Sequence, residues 1–258
     1  MATTSQNIRK ANWVRGGGFY FVEDLLQVGA DAKTVLGEKI GVLTGIMYLS
    51  PAKQNFDGVN LCPMADLAGC EKPCLFTAGR GGMSNVEMAR RSKTHFFLAE
   101  RALFMETLAA NIERLVRKAS RQGKELAIRL NGTSDVLWER IPVRGKANIM
   151  EAFPNVQFYD YTKRPGRVVP DNYHLTFSYS EVNPRYAEIA MKERHRGLNI
   201  AVVFRNDDDP ETINEFRGIP VFDATKTDCR FADGVSGQVA GLCAKGTAKV
   251  DTSGFVVN

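Results

Sequence analysis

Three cysteines, Cys62, Cys70 and Cys74, occur in the stretch LCPMADLAGCEKPCLF, directly after a segment that reads as a β-strand. Three thiolates on one loop can bind a metal centre, whereas a closed structural zinc site normally has four protein ligands. A cubane iron-sulfur cluster held by only three cysteines keeps one iron free for another ligand. The spacing C-x7-C-x3-C therefore predicts a 4Fe-4S cluster with one open corner.

Two other interpretations of these cysteines remain open. If Cys229 or Cys243 supplies a fourth ligand, the site is a closed structural zinc site. If the thiols bind nothing, they act as small buried apolar side chains. The chain has five cysteines, an odd number, and this count favours metal binding or reduced thiols over a disulfide framework.

The residues around the cysteines favour turns. Pro63, Gly69 and Pro73 disfavour a helix, and the run Gly79-Arg80-Gly81-Gly82 lets the main chain approach a ligand closely. Successive main-chain amides in such a run can hold a carboxylate or phosphate. We therefore expect an irregular, ligand-binding loop.

Other chemical motifs are absent from the sequence. The chain has three histidines with no metal-pair spacing, no Ser/His/Asp motif, no G-x-x-x-x-G-K-[ST] loop and no dinucleotide fingerprint. Hydrolase, nucleoside triphosphatase and simple dehydrogenase functions therefore lack support.

Composition predicts a cytosolic protein of one domain. The chain has 258 residues, a net charge of +5 and a pI near 8.9, which permit an anionic partner without requiring one. The N-terminal segment has no apolar core, and the longest apolar run, IGVLTGIMYL, is shorter than the roughly 20 residues of a membrane span. We expect a cytoplasmic location and no membrane partner.

Strand-like and helix-like segments alternate along the chain. Six apolar, β-branched segments predict strands at 40–49, 125–130, 156–161, 173–180, 199–205 and 219–224. Helices are predicted at 84–122, 134–140 with 145–152, 183–196 and 210–216. For the long helix, Ser84 and Glu87 resemble a capping box. This alternation indicates an α/β protein with a parallel sheet and right-handed crossovers.

Six such units fit a partial (βα)6 barrel or a doubly wound sheet. We expect a core at 40–228, an N-terminal extension at 1–39 and a C-terminal extension at 229–258 that is irregular or forms short β structure packed on the barrel. In both architectures, ligands bind at the carboxyl ends of the strands. Residues that follow the predicted strands should therefore line a site.

The segments after the strands are polar, as this expectation requires. The cysteine loop follows the first predicted strand. The residues that follow the second to sixth predicted strands are, in chain order, Asn131, Gly132, Thr133, Ser134 and Asp135; Lys163 and Arg164; Ser178, Ser180 and Glu181; Arg205, Asn206 and Asp207; and Asp223, Lys226 and Asp228.

The order strand, three-cysteine loop, helix and second strand ending in Asn131 to Asp135 resembles the radical S-adenosylmethionine (SAM) superfamily. The resemblance implies a partial (βα)6 barrel of parallel strands. It also implies a 4Fe-4S cluster on the cysteine triad, whose open iron binds the amino and carboxylate groups of SAM. One electron from the cluster would then cleave SAM to a 5'-deoxyadenosyl radical. The spacing usual in that superfamily, C-x3-C-x2-C, is shorter than the spacing here.

Carried onto this chain, the resemblance assigns roles by position. Cys62, Cys70 and Cys74 would hold the cluster. Asn131, Gly132, Thr133, Ser134 and Asp135 would contact the SAM amino group, and Ser178 or Ser180 its ribose hydroxyls. The candidate substrate contacts are Lys163, Arg205, Asp223 and Asp228. The substrate and the electron donor are not specified by the sequence.

From Ile40 onward, the chain also resembles a bacteriophage family of the gene product 88 type. The segments that carry this resemblance are CPMADLAGC, RLNGTSD, FYDYTK, LTFSYSE, AVVF, AKG and SGFV. It implies a phage origin, and hence the host cytoplasm, without implying an activity.

A nucleic-acid-binding protein stabilised by zinc or by a non-catalytic cluster is the alternative function. Its basic face would consist of Arg80, Arg90, Arg91, Lys163, Arg164 and Arg167. Bases would stack on Tyr159, Tyr161, Tyr173 and Tyr179. Binding that weakens with salt would favour this alternative, whereas iron and SAM binding would favour the enzyme.

Overall fold

A computed structural model describes residues 22–29, 35, 37–74, 79–205 and 213–258. The strands are β1 Leu26–Gln27, β2 Val42–Met47, β3 Glu125–Arg129, β4 Gln157–Thr162, β5 Tyr173–Ser178, β6 Asn199–Phe204, β7 Glu215–Phe216, β8 Ile219–Asp223, β9 Val239–Cys243 and β10 Val256–Val257. The α-helices are α1 Ser84–Ala99, α2 Arg101–Arg121, α3 Ile149–Ala152 and α4 Pro184–His195. Short 3-10 helices occupy Gly79–Gly82, Trp138–Arg140, Arg230–Ala232 and Gly246–Val250.

The ten strands form one sheet in the order β1-β2-β3-β4-β5-β6-β9-β8-β7, with β10 paired to β6. The pairs β1–β2 and β7–β8 are antiparallel, and the other pairs are parallel. The sheet is not closed. All six predicted strands are present within a few residues of their expected positions, so the prediction of a mostly parallel α/β sheet is confirmed.

Buried β-branched and aliphatic residues explain why these segments are strands. Every residue of β2 and of β6 is buried. Strands buried on both faces read as continuous apolar runs, as these two do. Helices α1, α2 and α4 pack on one face and contribute to two large apolar clusters.

The other face is covered by residues 224–233, which we call the covering segment. Cys229 packs with Val42, Ala127 and Tyr159, and the Phe231 ring lies 5.4 Å from the Tyr159 ring. The covering segment therefore occupies the face of the sheet that the helices leave open.

The C-terminal part differs from its predicted role. Residues 229–258 were predicted to be an irregular or short β extension packed on the barrel, but β9 lies within the sheet, between β6 and β8, and pairs with both in parallel. Glycine suggested irregular structure, but Gly241 lies where a Cβ would come within 2.9 Å of the Val221 side chain. Glycine here allows close packing of neighbouring strands.

The predicted long helix is divided in two at Glu100, whose backbone is not helical (φ −130°, ψ 59°). The Phe104 ring lies 5.2 Å from the rings of both Phe96 and Phe97, so the aromatic packing of the two helices spans the break. The capping box was also wrong, because Met83 is the N-cap and makes no side-chain cap hydrogen bond.

Two other helix predictions need correction. Residues 134–152 contain only the 3-10 helix Trp138–Arg140 and the one-turn helix α3. For 210–216, residues 210–212 lie outside the described part of the chain, and Glu215–Phe216 is the short strand β7, paired with β8. Strand pairing with Ile219 and Pro220 replaces the expected helix.

Candidate metal centre

The cysteine loop follows β2 at the carboxyl end of the parallel sheet. Within the loop, the Cys62 carbonyl accepts from the Ala65 amide at 2.9 Å, and the Ala65 carbonyl accepts from the Cys70 amide at 3.1 Å. The Asn60 side chain also accepts from the Cys62 amide at 2.8 Å. These turns hold Cys62 and Cys70 in fixed relation to each other.

Gly69 docks the loop onto the segment after β5. Its φ of +63° is in the left-handed region, and a Cβ would lie 2.4 Å from the Val182 side chain. Both constraints require glycine next to Cys70. The neighbouring Cys70 side chain is 8% exposed and joins the apolar cluster that includes Phe177 and Tyr186.

The segment after β3 contacts the same loop. The Asp135 amide donates to the Leu61 carbonyl at 2.9 Å, and the Cys62 Sγ lies 3.8 Å from the Thr133 carbonyl oxygen. The carboxyl ends of β2 and β3 therefore bring Cys62 next to the segment 131–135, as the sequence predicted for strand-end residues.

The three thiols lie close enough to influence one another. Burial raises the pKa of Cys62 to about 12; the negative charges of Cys70 and Cys74 act in the same direction, and Lys163 opposes them. Cys62 is therefore a thiol at neutral pH unless a metal displaces its proton.

Lys163 supplies positive charge near the thiols. Burial alone would lower its pKa, but the charges of Cys70, Asp135, Cys74 and Cys62 outweigh burial and raise it. The ammonium therefore lies within electrostatic range of all three thiols. Its main chain is fixed as well, because the Lys163 amide donates to Asp135 Oδ2 at 2.8 Å.

The described residues do not form a binding site for a single metal ion. Among the described residues, no three His, Cys, Asp or Glu side chains are grouped closely enough to hold one metal ion.

A fourth ligand from Cys229 has no support in the structure. Cys229 is fully buried under the opposite face of the sheet, packed with Val42 and Ala127. Cys243 ends β9, where it pairs with Phe204 of β6.

Asn131 organises the segment predicted to contact SAM. Its Oδ1 accepts from the Ser134 hydroxyl, the Val136 amide and the Trp138 indole at 2.9–3.0 Å. Its Nδ2 donates to the Val136 carbonyl at 3.0 Å. All these bonds are internal, so the Asn131 side chain shapes the segment.

The other residues of this segment are also tied to neighbouring strand ends. Gly132 allows close approach, since a Cβ would lie 2.6 Å from the Met47 carbonyl oxygen. The Thr133 hydroxyl donates to the Leu49 carbonyl. Asp135 accepts from the Thr162 hydroxyl at 2.8 Å, in addition to the Lys163 amide.

The two serines after β5 differ in exposure. Ser180 is fully buried, and its hydroxyl accepts from the Val182 amide at 3.3 Å. Ser178 is half-buried, and its carbonyl accepts from the Tyr186 hydroxyl at 2.7 Å. Burial raises the pKa of Tyr186, and the nearby charges of Cys70 and Asp135 raise it further.

The remaining candidate substrate contacts have partners elsewhere in the fold. Arg205 binds the C-terminal tail through Asn258 Oδ1 at 2.6 Å and the Lys249 carbonyl at 3.1 Å. Asp223 accepts from the Thr225 amide and hydroxyl at 2.8 and 2.7 Å. Asn206 and Asp207 lie outside the described residues.

Two of the six residues of the predicted nucleic-acid face, Arg90 and Arg167, are buried. Arg90 is buried and donates to the Gly81 carbonyl at 3.2 Å, and Arg167 is buried against Glu139, with Nη2 2.7 Å from Oε2. Arg91 forms an exposed i,i+4 pair with Glu87. The described residues also include Arg164 and Lys163, both half-buried, whereas the Arg80 side chain lies outside them.

The predicted stacking tyrosines are mostly core residues. Tyr159, Tyr173 and Tyr179 are at most 3% exposed, and Tyr161 is half-buried on β4. Such rings are not available for stacking on bases without a change in structure.

Sequence reasoning missed a buried ionic network beside the site. Arg129 Nη1 donates to Asp228 Oδ2 at 2.7 Å, and Arg129 Nε lies 3.8 Å from Asp160 Oδ1. Asp160 Oδ2 accepts from the Tyr173 hydroxyl at 2.7 Å, and Arg167 donates to the same hydroxyl at 3.2 Å. The sequence did contain a signal for this network, namely the charged residues Arg129 and Asp160 inside otherwise apolar strands. Charged residues are rarely buried without partners.

Comparison with known proteins identifies a protein family. A family model described as Gene product 88 matches residues 24–258. No curated protein and no solved structure matches the chain significantly. Within the described residues, no helix is long and apolar enough to cross a membrane.

Proposed function

The chain belongs to the Gene product 88 family, and we propose that it is an iron-sulfur protein with a cluster on Cys62, Cys70 and Cys74. The observation that carries the proposal is that Cys62, Cys70 and Cys74 lie on one loop, in which the Ala65 main chain ties Cys62 to Cys70 through two hydrogen bonds. When bound, a four-iron cluster with three cysteine ligands supplies one open iron and one-electron chemistry.

The position of the loop in the fold supports the proposal. Strands β2 to β6 are neighbours in chain order and run in parallel, so their carboxyl ends share one edge. Small-molecule sites in parallel α/β sheets lie at that edge. The cysteine loop follows the first of these strands.

A radical SAM-type enzyme with a partial barrel is the finer form of the proposal. The sequential order β2 to β6 agrees with the first five strands of such a barrel, while β9 takes the sixth place and β8 lies beyond it. Because the side chains of Asn131, Thr133, Ser134 and Asp135 have internal partners, SAM contacts from this segment would have to come from the main chain.

The test is anaerobic purification with iron and sulfide quantification, followed by electron paramagnetic resonance of the dithionite-reduced protein with and without SAM. We expect about four irons per chain, as for one cubane cluster. Replacing Cys62, Cys70 or Cys74 with serine should remove most of the iron. The matched control is Cys243→Ser, which should retain it.

The outcomes separate the possible functions. A spectrum that changes on adding SAM supports the enzyme, and a SAM-silent cluster leaves a structural or electron-transfer role. Zinc in place of iron, with nucleic-acid binding that weakens as the salt concentration rises, would overturn the proposal in favour of the alternative, a nucleic-acid-binding protein stabilised by zinc. Equal iron loss in the Cys243 variant would also contradict it.

A further inference from the structure

We propose that the face of the sheet under the covering segment, which we call the inner face, carries a binding site for a small carboxylate. The site consists of Arg129 and Tyr159, and Asp228 of the covering segment occupies it until a ligand displaces it. The covering segment thus acts as a built-in competitor of the ligand. The site is independent of the proposed metal centre, because none of its residues belongs to the cysteine loop.

The Asp228 carboxylate is held as the carboxylate of a ligand would be. Arg129 Nη1 donates to Asp228 Oδ2 at 2.7 Å, and the Tyr159 hydroxyl lies 3.4 Å from the same oxygen. Arg129 is 5% exposed and Tyr159 is fully buried, so water is kept away from both donors. Arg129 Nε makes no hydrogen bond among the described residues and lies 3.8 Å from Asp160 Oδ1. The guanidinium, which can bind a carboxylate through two parallel bonds, therefore has a donor that Asp228 does not use.

The contact between the covering segment and the sheet leaves buried polar atoms unsatisfied on both sides. In the described part of the chain, Arg230 Nε, Arg230 Nη1 and Asp233 Oδ2 of the segment make no hydrogen bond. On β5, which contacts the 3-10 helix that begins at Arg230, His174 Nε2 and Thr176 Oγ1 make none either. His174 is the register partner of Tyr159 and shares its face of the sheet. Because buried polar atoms without partners are unfavourable, they lower the free energy needed to lift the segment.

The apolar contacts that hold the segment are limited. Cys229 and Phe231 join one small cluster and Ala224 joins another, whereas the helices on the opposite face join the two large clusters. Parts of a fold with little apolar burial open at a lower free energy than the core. Lys226 and Ala232 are exposed, so solvent lies directly outside the segment and a ligand can reach the inner face once the segment lifts.

Displacement keeps the charge at the site constant, because one carboxylate replaces another beside Arg129. A ligand that binds only the open form shifts the equilibrium towards that form. The ligand should therefore increase, and not decrease, the accessibility of side chains that the segment buries. Cys229 is such a side chain, since it is fully buried between the segment and the sheet.

The experiment measures the rate at which iodoacetamide alkylates Cys229 in the full chain as purified, with acetate as the probe. Mass spectrometry follows Cys229 together with Cys243, which ends β9 outside the segment and serves as the internal reference. Phosphate and chloride at matched ionic strength separate carboxylate binding from the binding of another oxyanion and from a general effect of salt.

Three variants accompany the wild type. Asp228→Asn removes the competing carboxylate and keeps the shape of the side chain. The matched control is Glu181→Gln, because Glu181 accepts from Arg217 at 2.8 Å and from the Tyr179 hydroxyl at 3.3 Å, the same two kinds of donor, outside the covering segment. The double variant Arg129→Met with Asp228→Leu removes both charges of the site. Circular dichroism and urea unfolding check that each variant is folded.

We expect acetate to accelerate the alkylation of Cys229 in the wild type and to leave that of Cys243 unchanged. In Asp228→Asn, alkylation of Cys229 should be faster before acetate is added, and half-maximal acceleration should need about tenfold less acetate, because the open form is more populated. Glu181→Gln should match the wild type, and the double variant should not respond to acetate.

Several results would overturn the carboxylate site. If acetate slows the alkylation of Cys229 in the wild type or leaves it unchanged, no displacement occurs. An equal response to chloride would identify a general salt effect, and a stronger response to phosphate would refute the assignment to a carboxylate. An acetate response in the double variant would show that Arg129 is not the receptor. If Asp228→Asn does not fold, the comparison of acetate, phosphate and chloride in the wild type still decides. The iron content is measured separately, so the metal centre and the carboxylate site can each fail alone.

Discussion

Asp160 is a carboxylic acid with no exposed surface in the middle of β4. Burial raises its pKa from 3.8 to about 7, although Arg129 and the hydrogen bonds from Tyr173 and the Asn131 amide oppose the shift. The carboxyl group is therefore partly protonated at neutral pH. It sits between the segment 131–135, which contacts the cysteine loop, and the ionic network on the opposite face.

The pKa of Asp160 predicts a pH dependence of stability. Between about pH 4 and pH 7 the folded chain keeps a proton that the unfolded chain has lost, so the free energy of unfolding should fall as pH rises and level off above pH 7. Asp160→Asn should reduce this slope by up to about 1.4 kcal/mol per pH unit. Urea unfolding from pH 4 to pH 8 measures it.

Asp233→Asn is the matched control, because burial raises the pKa of Asp233 to about 6. The contribution of Asp233 to the pH dependence of stability has the same sign, but it should level off about one pH unit lower than that of Asp160. An unchanged pH dependence in Asp160→Asn would show that Asp160 is ionised throughout and that Arg129 outweighs burial.

At the scale of elements, β9 decides whether the sheet is continuous. Its five residues pair with Ile200–Phe204 on one side and with Val221–Asp223 on the other. Without β9, the edges of β6 and β8 would lose their partners, and unpaired buried backbone groups are costly. The strand that composition assigned to an outer extension is thus required by the core.

Two truncations test this requirement. A chain that ends at Gly237 lacks β9 and β10 and should show no cooperative unfolding. A chain that ends at Lys245 keeps β9 but loses Val256 and Val257 from the core, and it should unfold cooperatively with lower stability. Circular dichroism during urea titration compares both with the full chain. Cooperative unfolding of the shorter chain would show that β9 is dispensable.

At the scale of the whole molecule, the two faces of the sheet are covered differently. Helices cover one face through apolar clusters, whereas the covering segment meets the other face partly through ions. Arg129, only 5% exposed, joins β3 to Asp228 of this segment, and the Tyr159 hydroxyl lies 3.4 Å from the same carboxylate. The ion pair therefore fixes the covering segment to the sheet.

Arg129→Met should lower the free energy of unfolding by roughly 3–5 kcal/mol, because it removes the buried guanidinium that lies 2.7 Å from the Asp228 carboxylate. Adding Asp228→Leu should recover part of the loss, since it removes the carboxylate that faced the guanidinium. A double-mutant cycle from urea unfolding measures the coupling. Additive losses in the double variant would mean that the pair does not hold the covering segment in place.

The sequence by itself determined the six predicted strands, the parallel α/β class, the three-cysteine loop after the first predicted strand and Lys163 after the third. These features depend on short-range patterns: β-branched runs, alternating elements and cysteine spacing. Tertiary structure alone decided the place of β9, the division of the long helix at Glu100 and the ionic bridge from Arg129 to Asp228. It also assigned the side chain of Asn131 to internal bonds and that of Arg205 to the C-terminal tail. The place of β9 and the bridge from Arg129 to Asp228 depend on contacts between residues far apart in the chain, which no local pattern specifies.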